Sequence, residues 1–223
     1  MTLAPDAVRS MFDRIAPVYD VMNRVMTGGL DLRWRRLTAA AAVRPGDRVL
    51  DAACGTGDLA VADLRAGAAS VTGLDFSTRM LERAGRKSAA IDWVEGDLLA
   101  LPFENGTFDA ATIGFGVRNA SDLELALREL RRVLRTGGRL AILEITRPRG
   151  VLRPFFTLWF DRLVPLAGRL LPGGAAYTYL PASVARFPAA EELVELLREA
   201  GFGEVRFRLL AGSIIAVHTG VAE

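Results

Sequence analysis

The sequence Val49-Leu-Asp-Ala-Ala-Cys-Gly-Thr-Gly-Asp58 decides the fold of this chain, because an apolar run leads directly into a glycine-containing turn. The glycines at positions 55 and 57 let the backbone bend sharply and approach a ligand closely. A second apolar segment, Val71-Thr-Gly-Leu-Asp75, places a carboxylate twenty residues after Gly55. At this spacing an acidic side chain accepts hydrogen bonds from both hydroxyls of a ribose. The pattern predicts a nucleotide-binding turn between a strand and a helix.

The charges near this turn indicate which nucleotide binds there. The stretch Gly55-Thr-Gly-Asp-Leu-Ala60 also satisfies the loose dinucleotide fingerprint, so a nicotinamide oxidoreductase is one alternative. Four acidic residues, however, fall at predicted strand ends or at the helix start: Asp51, Asp58, Asp75 and Asp97. Carboxylates repel a pyrophosphate but attract the sulfonium and ammonium groups of S-adenosylmethionine. The pattern therefore favours S-adenosylmethionine as the cofactor.

Composition limits the architecture and the partners. A chain of 223 residues with 51% hydrophobic content can bury one substantial core, so a single α/β domain is expected. The formal net charge is only +2, and Lys87 is the sole lysine. Arginine clusters at residues 33–36 and 128–135 are nearly balanced by acidic residues. They predict solvated helix faces and no binding of nucleic acid.

The single cysteine and the single histidine exclude several kinds of site. Cys54 has no partner for an intramolecular disulfide, which suits a reducing cytosol, and its position predicts a residue that lines the turn. His218 is the only histidine that could serve a cysteine nucleophile, so such chemistry is disfavoured. No cluster has the spacing of metal ligands, so no metal is expected. The longest apolar region, 151–171, contains three arginines and an aspartate, which argues against a membrane span.

Hydrophobic periodicity predicts helices near residues 5–15 and 30–42, followed by alternating strands and helices. This alternation is typical of parallel βαβ units. Strands are expected at about 48–53, 70–75, 91–95, 108–114 and 138–145. Helices are expected at about 58–66, 77–87 and 121–135, the last with a stop at Thr136-Gly-Gly138. A helix near 189–200 then precedes two segments, 204–210 and 213–218, that have the pattern of a β-hairpin.

The region after Pro148 interrupts this alternation. It is apolar, carries several arginines and the aromatic cluster at 155–160, and ends at Pro172-Gly-Gly174. We interpret it as an inserted cap over the site, and its aromatic residues as either core packing or a lipid-facing surface. Within one domain, the predicted parts are an N-terminal helical cap (1–45), a cofactor-binding core (46–148), the inserted cap (149–188) and a final helix with a hairpin (189–223).

Several longer motifs connect the chain to a known family. They are Met11-Phe-Asp-Arg-Ile-Ala-Pro-Val-Tyr-Asp20, Gly114-Phe-Gly-Val-Arg-Asn119, Arg132-Val-Leu-Arg-Thr-Gly-Gly-Arg-Leu140, Tyr177-Thr-Tyr-Leu-Pro-Ala-Ser183 and Ala200-Gly-Phe202. In these motifs the chain resembles, almost end to end, the menaquinone and ubiquinone biosynthesis C-methyltransferases. The resemblance implies the Rossmann-like fold of class I methyltransferases, with a seven-stranded, mostly parallel sheet, an antiparallel last strand and helices on both faces.

The resemblance also assigns cofactor contacts. It places Gly55 and Thr56 in the turn, Asp75 on the ribose, Asp97 and Leu98 around the adenine, and Gly114 below the methionine moiety. Gly114 departs from the family, which frequently has serine at this position. Two alternatives remain open: Asp75 could cap the helix at 77–87, and Asp97 could be an ordinary turn residue.

The implied reaction is transfer of a methyl group to a ring carbon of a reduced, prenylated quinol. The resemblance points to Arg118 as the catalytic residue, which stabilises the phenolate or orients a water molecule that takes the proton. Asn119 would hold the second ring oxygen, and Tyr19 would close over the cofactor or the ring. The alternatives are an ion pair between Arg118 and Asp122, and cap packing by Tyr19. His218 as the base is disfavoured, because an antiparallel last strand places it far from the cofactor.

The sequence leaves several alternatives open for the acceptor substrate and for the location of the protein. Demethylmenaquinol is the favoured substrate, with a benzoquinol or another small lipophilic acceptor, such as a sterol, as alternatives. A non-catalytic module on the same fold is a further alternative. The pattern predicts a cytoplasmic protein, compatible with a peripheral contact at the inner face of the cytoplasmic membrane and with a homodimer.

Overall fold

The computed structural model describes residues 5–147 and 174–223. Most of the predicted inserted cap, including the aromatic cluster at 155–160, lies outside these residues. The described strands are β1 (Arg48–Ala52), β2 (Ser70–Asp75), β3 (Asp92–Glu95), β4 (Phe108–Gly114), β5 (Leu134–Ile145), β6 (Phe202–Leu210) and β7 (Ile215–Ala222). The described α-helices are α1 (Pro5–Ile15), α2 (Tyr19–Thr27), α3 (Leu30–Ala42), α4 (Asp58–Arg65), α5 (Thr78–Lys87), α6 (Leu123–Val133), α7 (Gly174–Arg186) and α8 (Ala190–Glu199).

The strands form one sheet in the order β3-β2-β1-β4-β5-β7-β6. Pairing is parallel from β3 through β5, and β7 enters antiparallel between β5 and β6. The predicted sheet and the predicted C-terminal hairpin are therefore confirmed. The carboxyl ends of β1, β2 and β4 lie side by side, which is where ligands bind in sheets of this kind.

Side chains of β1 alternate between two apolar layers, as the two-residue period of a strand requires. Leu50 belongs to the larger cluster with α6 and α8, whereas Val49 packs with α3 and α4 on the other face. Because both faces are covered, β1 is buried from Val49 to Ala52. Among the described residues, no helix has the length and the apolar character needed to cross a bilayer.

Two parts of the chain differ from the sequence-based predictions. The helix at 19–27 was not predicted. It carries no fully buried residue, and Met22 and Met26 are only partly buried where they pack against Val184. The helix predicted at 121–135 ends at Val133, and β5 begins at Leu134 instead of 138. The glycines of Thr136-Gly-Gly138 lie in an irregularity of β5, where pairing with β4 jumps from Leu134 to Arg139. Gly137 has a φ of +76°, which explains why the pattern looked like a helix stop.

The inner strand β2 contains a glycine beneath an aromatic ring. Gly73 is the register partner of Trp93 on β3, and a Cβ atom at residue 73 would lie 2.5 Å from Cε3 of the indole. We expect Gly73→Ala to lower the free energy of unfolding by about 1–3 kcal/mol, because the ring or the strand must shift. Urea denaturation measures this loss. The same substitution should cost clearly less in a Trp93→Leu background, and an equal cost in both backgrounds would contradict the proposed contact.

Candidate functional site

The site is centred on the turn that joins β1 to α4. The backbone reaches positive φ at Ala53 (+51°), Gly55 (+56°) and Gly57 (+82°). Phe115, which follows β4, also has a φ of +61°. Two non-glycine residues in this conformation, both beside one cleft, are the kind of local strain that accumulates at ligand-binding sites.

Asp75 links the turn to the end of β2. Its Oδ2 accepts a hydrogen bond from the backbone N of Gly55 at 2.8 Å, and its Oδ1 accepts one from the N of Ser77 at 2.9 Å. Burial raises the pKa of Asp75 to about 6, although these backbone donors oppose the shift. The capping role belongs to Ser77, whose hydroxyl accepts a hydrogen bond from the N of Met80. The carboxylate of Asp75 is thus fixed at the cleft, with lone pairs left for a ligand.

A cleft of about 490 Å³, open to solvent, lies above the ends of β1, β2 and β4. Predicted site residues that line it are Tyr19, Gly55, Thr56, Asp75, Gly114 and Asn119. Cys54 also lines it, as predicted, and burial raises the pKa of its thiol well above the usual range. A thiol that stays protonated is a poor nucleophile, which agrees with the prediction that Cys54 has no such role.

Seven further lining residues were not singled out by sequence reasoning: Phe12, Arg35, Ala53, Phe76, Met80, Phe115 and Gly116. Arg35 corrects an explicit interpretation, since the cluster at 33–36 was predicted to be a solvated helix face. Arg33 and Arg36 are exposed, but Arg35 is only 4% exposed and points into the cleft lining. The helical spacing of Asp31, Arg35 and Thr38, all buried, was the signal that could have separated Arg35 from its neighbours.

A network of hydrogen bonds and ion pairs holds helix α2 over the glycine turn. The hydroxyl of Thr56 donates to Asp20 Oδ1 at 2.5 Å. Lys87 Nζ lies 2.7 Å from both Asp20 and Asp58, and Arg24 Nη2 donates to Asp58 at 2.6 Å. Burial alone would raise the pKa of Asp58, but the hydrogen bonds from Lys87 and Arg24 lower it. Tyr19, at the start of α2, thereby lies over the turn, 3.9 Å from the position that a Cβ on Gly55 would occupy.

The predicted catalytic residue lies next to the cleft instead of in its lining. Arg118 belongs to a short 3₁₀ helix, Val117–Asn119, and its Nη1 donates to Glu144 Oε1 at 3.0 Å and to the carbonyl oxygen of Phe115. Both side chains of this pair are buried, and burial raises the pKa of Glu144 although Arg118 opposes the shift. The carboxylate named as an alternative partner, Asp122, instead caps α6 by accepting a hydrogen bond from the N of Leu125.

Asn119 faces the cleft directly. Its side-chain Oδ1 is buried and has no hydrogen-bond partner among the described residues, and the same holds for Nε of Arg118. Buried polar atoms without partners cost free energy unless a ligand or water satisfies them. Asn119 therefore offers an unused hydrogen-bonding group on the side of the cleft that follows β4, and Arg118 has a buried one next to it.

Two predicted adenine contacts and the histidine are placed elsewhere. Asp97 Oδ1 accepts a hydrogen bond from the N of Leu99 at 2.9 Å, in the manner of an ordinary turn residue. Leu98 belongs to the larger apolar cluster, and neither residue lines the cleft. Instead, Phe76 and Met80 provide the apolar surface beside Asp75. His218 Nε2 lies 2.9 Å from the carbonyl oxygen of Ala190, and burial lowers the pKa of this histidine. It is not part of the cleft lining.

A pair of buried acids lies beneath the site. Asp51 is fully buried in β1, and burial raises its pKa to about 8, although the charge of Arg35 opposes the shift. Burial also raises the pKa of Asp63, which accepts a hydrogen bond from Thr112 Oγ1 at 2.6 Å. At neutral pH the protonated form of Asp51 therefore predominates.

This elevated pKa predicts a pH-dependent stability. The unfolded chain releases the proton of Asp51 near pH 4, whereas the folded chain retains it until about pH 8. The group therefore favours the folded state fully below pH 4, and this contribution is lost as the pH rises to 8. Replacing Asp51 by asparagine, an uncharged isostere, removes this pH-dependent loss of folding stability. We expect the melting temperature of Asp51→Asn, relative to the parent protein, to rise by about 5 °C or more between pH 5 and pH 8.

The matched control is Asp92→Asn, because Asp92 is exposed on β3. Calorimetry at the two pH values should show no comparable change for the control. A difference between Asp51→Asn and the parent that stays constant with pH would contradict the elevated pKa.

The residues of the cleft fit a nucleoside with a cationic tail better than a dinucleotide. Asp58 occupies the start of α4, where a pyrophosphate would otherwise bind, and Lys87 and Arg24 are already engaged by this carboxylate. Asp75 presents a carboxylate to the cleft, with apolar side chains beside it. S-adenosylmethionine meets these requirements because it combines a ribose with a sulfonium and carries no phosphate.

Comparison with known proteins decides the family. The sequence profile described as "ubiE/COQ5 methyltransferase family" matches residues 1–222. The chain belongs to this family. It is therefore a methyltransferase.

Individual relatives are similar over nearly their whole length. The chain is 47% identical to a demethylmenaquinone methyltransferase of Thermus thermophilus, over 94% of this chain and 99% of the relative. It is 42% identical to a 2-phytyl-1,4-naphtoquinone methyltransferase of Synechococcus elongatus, over 96% and 97% of the two chains. A solved S-adenosylmethionine-dependent methyltransferase of Thermotoga maritima has a TM-score of 0.65 at 23% identity, covering 96% of this chain and all of that one. At this identity the structural likeness shows the fold alone.

Proposed function

We propose that this methyltransferase transfers a methyl group from S-adenosylmethionine to a ring carbon of demethylmenaquinol. The observation that carries the substrate proposal is the end-to-end similarity to a protein named demethylmenaquinone methyltransferase, at 47% identity. The cleft supports the cofactor proposal, because Asp75 and the turn at 53–57 provide a nucleoside site without a phosphate-binding helix start. When bound, S-adenosylmethionine supplies a methyl group on a positively charged sulfur, which a nucleophilic ring carbon can accept.

The residues on the acceptor side address the main barrier of this reaction. A ring carbon becomes nucleophilic when the neighbouring hydroxyl loses its proton, and a phenol with a pKa near 10 opposes this at neutral pH by roughly 4 kcal/mol. We infer that the positive charge of Arg118 stabilises the phenolate, while the unpartnered Oδ1 of Asn119 accepts a hydrogen bond from the second ring hydroxyl. Glu144 holds the guanidinium of Arg118 in place through the 3.0 Å hydrogen bond.

The nature of the acceptor also indicates where in the cell the enzyme acts. A prenylated quinol resides in a membrane, so we infer a peripheral contact of this chain with the inner face of the cytoplasmic membrane. Val21 and Val25 support this inference, because they lie one turn apart on α2 and are 66% and 75% exposed. Helix α2 also carries Tyr19 and Asp20, so such a contact would lie close to the cleft.

A transfer assay with several acceptors tests the proposal. The protein is incubated with methyl-labelled S-adenosylmethionine and reduced demethylmenaquinol, a demethylated benzoquinol or a naphthoquinol without an isoprenoid tail, with and without phospholipid vesicles. We expect the highest kcat/KM for demethylmenaquinol in vesicles and no transfer to the oxidised quinone, which lacks a phenol. Preference for the benzoquinol would support the ubiquinone alternative, and labelling of none of the quinols would overturn the proposal.

A further inference from the structure

The buried guanidinium of Arg35 is not explained by the contacts described so far. Arg35 lies on α3, is 4% exposed and lines the cleft. Its Nε has no hydrogen-bond partner among the described residues and lies 3.9 Å from Asp31 Oδ2, beyond hydrogen-bonding distance. A buried charge with an unused donor, directed into a cleft, is costly unless a ligand of opposite charge binds there.

The carboxylates around Arg35 are engaged by other groups. Asp31 forms an ion pair with Arg24 and accepts a hydrogen bond from Thr27 Oγ1 at 3.0 Å. Asp58 lies between Arg24 and Lys87. Asp51 makes no hydrogen bond to Arg35, and burial raises its pKa to about 8. Among the described residues, Arg35 is thus the cation of the cleft lining that has no hydrogen-bonded acid.

The guanidinium is held at a defined place. Its Cζ lies 5.3 Å from the ring centroid of Phe115, within the range of a cation–π contact. Its Nη1 would lie 3.1 Å from a Cβ atom on Gly114, so Arg35 reaches the backbone at the end of β4. The absence of a side chain at residue 114 leaves this space to the guanidinium.

Arg35 and Asp75 therefore mark opposite ends of the cleft. Asp75 ends β2 and Gly114 ends β4, and these two strands flank β1 on its two sides. Asp75 and Gly114 are therefore two strand spacings apart, which is about 10 Å. A ligand whose ribose is bound by Asp75 would extend its tail across the turn at Gly55 toward Arg35.

We propose that Arg35 binds the carboxylate of the methyl donor's methionine moiety. This inference rests on the proposed use of S-adenosylmethionine. The carboxylate is the one anionic group of that molecule, and a guanidinium binds a carboxylate with two parallel hydrogen bonds. Arg35 then orients the donor: Asp75 receives the nucleoside, and Arg35 receives the carboxylate.

Titration calorimetry with two non-reacting ligands tests this role without any quinol. S-adenosylhomocysteine carries the carboxylate, whereas 5′-methylthioadenosine keeps the nucleoside and the sulfur but lacks the carboxylate. We expect Arg35→Gln to weaken S-adenosylhomocysteine binding by about 30-fold or more and 5′-methylthioadenosine binding by less than about threefold. Arg36→Gln is the matched control, because Arg36 is the exposed neighbour on the same helix, and it should change neither affinity.

Equal losses for both ligands in Arg35→Gln, or no loss for either, would overturn the inference. A second arm uses the unmodified protein, so that it does not depend on folding of the variant. Here S-adenosylhomocysteine is compared with its carboxamide, which should bind about 30-fold or more weakly. Equal affinities would overturn the carboxylate contact and leave the donor proposal intact. An unmodified protein that binds none of these ligands would overturn both.

Discussion

Turnover by an Arg118→Ala variant is expected to fall by about 10³-fold, while its affinity for the methyl donor changes by less than about threefold. The size follows from the barrier that Arg118 is proposed to lower. Three pKa units separate a phenol from neutral pH, and each unit corresponds to a factor of about ten in the fraction of phenolate. The affinity for the methyl donor should change little, because Arg118 does not line the cleft in which the donor is proposed to bind.

A pH profile distinguishes this role from a purely structural one. If Arg118 acts by stabilising the phenolate, the variant should recover activity by about tenfold per pH unit up to the pKa of the free quinol. Stopped assays between pH 7 and pH 10 measure the recovery. A merely misfolded or misaligned site would show no such slope, and normal turnover at pH 7 would remove the assignment altogether.

Arg118→Ala also leaves Glu144 as a buried, unpaired acid, which by itself costs about 3–5 kcal/mol of stability. The matched control is therefore the double variant Arg118→Gln/Glu144→Gln, which removes both charges and retains a polar pair. The melting temperature of the double variant should be closer to that of the parent protein than the melting temperature of Arg118→Ala is. The double variant should still lack turnover at pH 7. Full turnover by the double variant would show that neither charge is needed.

Asp75→Ala is expected to weaken binding of the methyl donor by about 100-fold or more, because two hydrogen bonds to a charged acceptor contribute about 1.5–3 kcal/mol each. The effect should appear in calorimetry with S-adenosylhomocysteine. Part of it comes from the turn, since Asp75 also fixes the backbone N of Gly55 at 2.8 Å. Unchanged donor affinity in this variant would remove the ribose assignment.

The pKa of Asp75 gives this prediction a second observable. Because burial raises the pKa of Asp75 to about 6, the carboxyl group of the unliganded protein becomes protonated below that pH. It then loses its charge, and one oxygen becomes an O–H donor, so the group is a weaker acceptor for the ribose hydroxyls. Donor affinity should therefore fall by up to about tenfold per unit as the pH is lowered below 6. Asp75→Asn, which cannot titrate, serves as the control and should bind weakly with no such slope. The same slope in Asp75→Asn would contradict the assignment.

The sequence was sufficient for the parts of the fold that depend on local chemistry. The glycine turn, the parallel strands and the antiparallel last strand follow from short apolar runs and from the family motifs, and the structure confirms them. Helix α2 was missed because its contacts are with residues far away in the sequence. Asp20 pairs with Lys87, and Met22 and Met26 pack against Val184. Such pairs join residues that are far apart in the chain, and a single sequence does not reveal them.

The candidate site was predicted in part, for a related reason. Thr56 in the turn, and Asp75 and Gly114 at strand ends, are marked by motifs, and they line the cleft. Arg35 and Met80 lie inside helices and belong to no motif that marks a ligand site. The direction of the Arg118 side chain toward Glu144 was likewise hidden, because Glu144 lies on β5, 26 residues further along the chain.

The most direct test of the proposed function is the position of the transferred methyl group. The protein is given S-adenosylmethionine labelled with ¹³C in its methyl group, together with reduced demethylmenaquinol, and the product is analysed by NMR correlation from the methyl protons. We predict a methyl group bonded to the ring carbon beside a hydroxyl-bearing carbon. A label on the hydroxyl oxygen, or no labelled quinol from a protein that demonstrably binds the donor, would contradict the proposal.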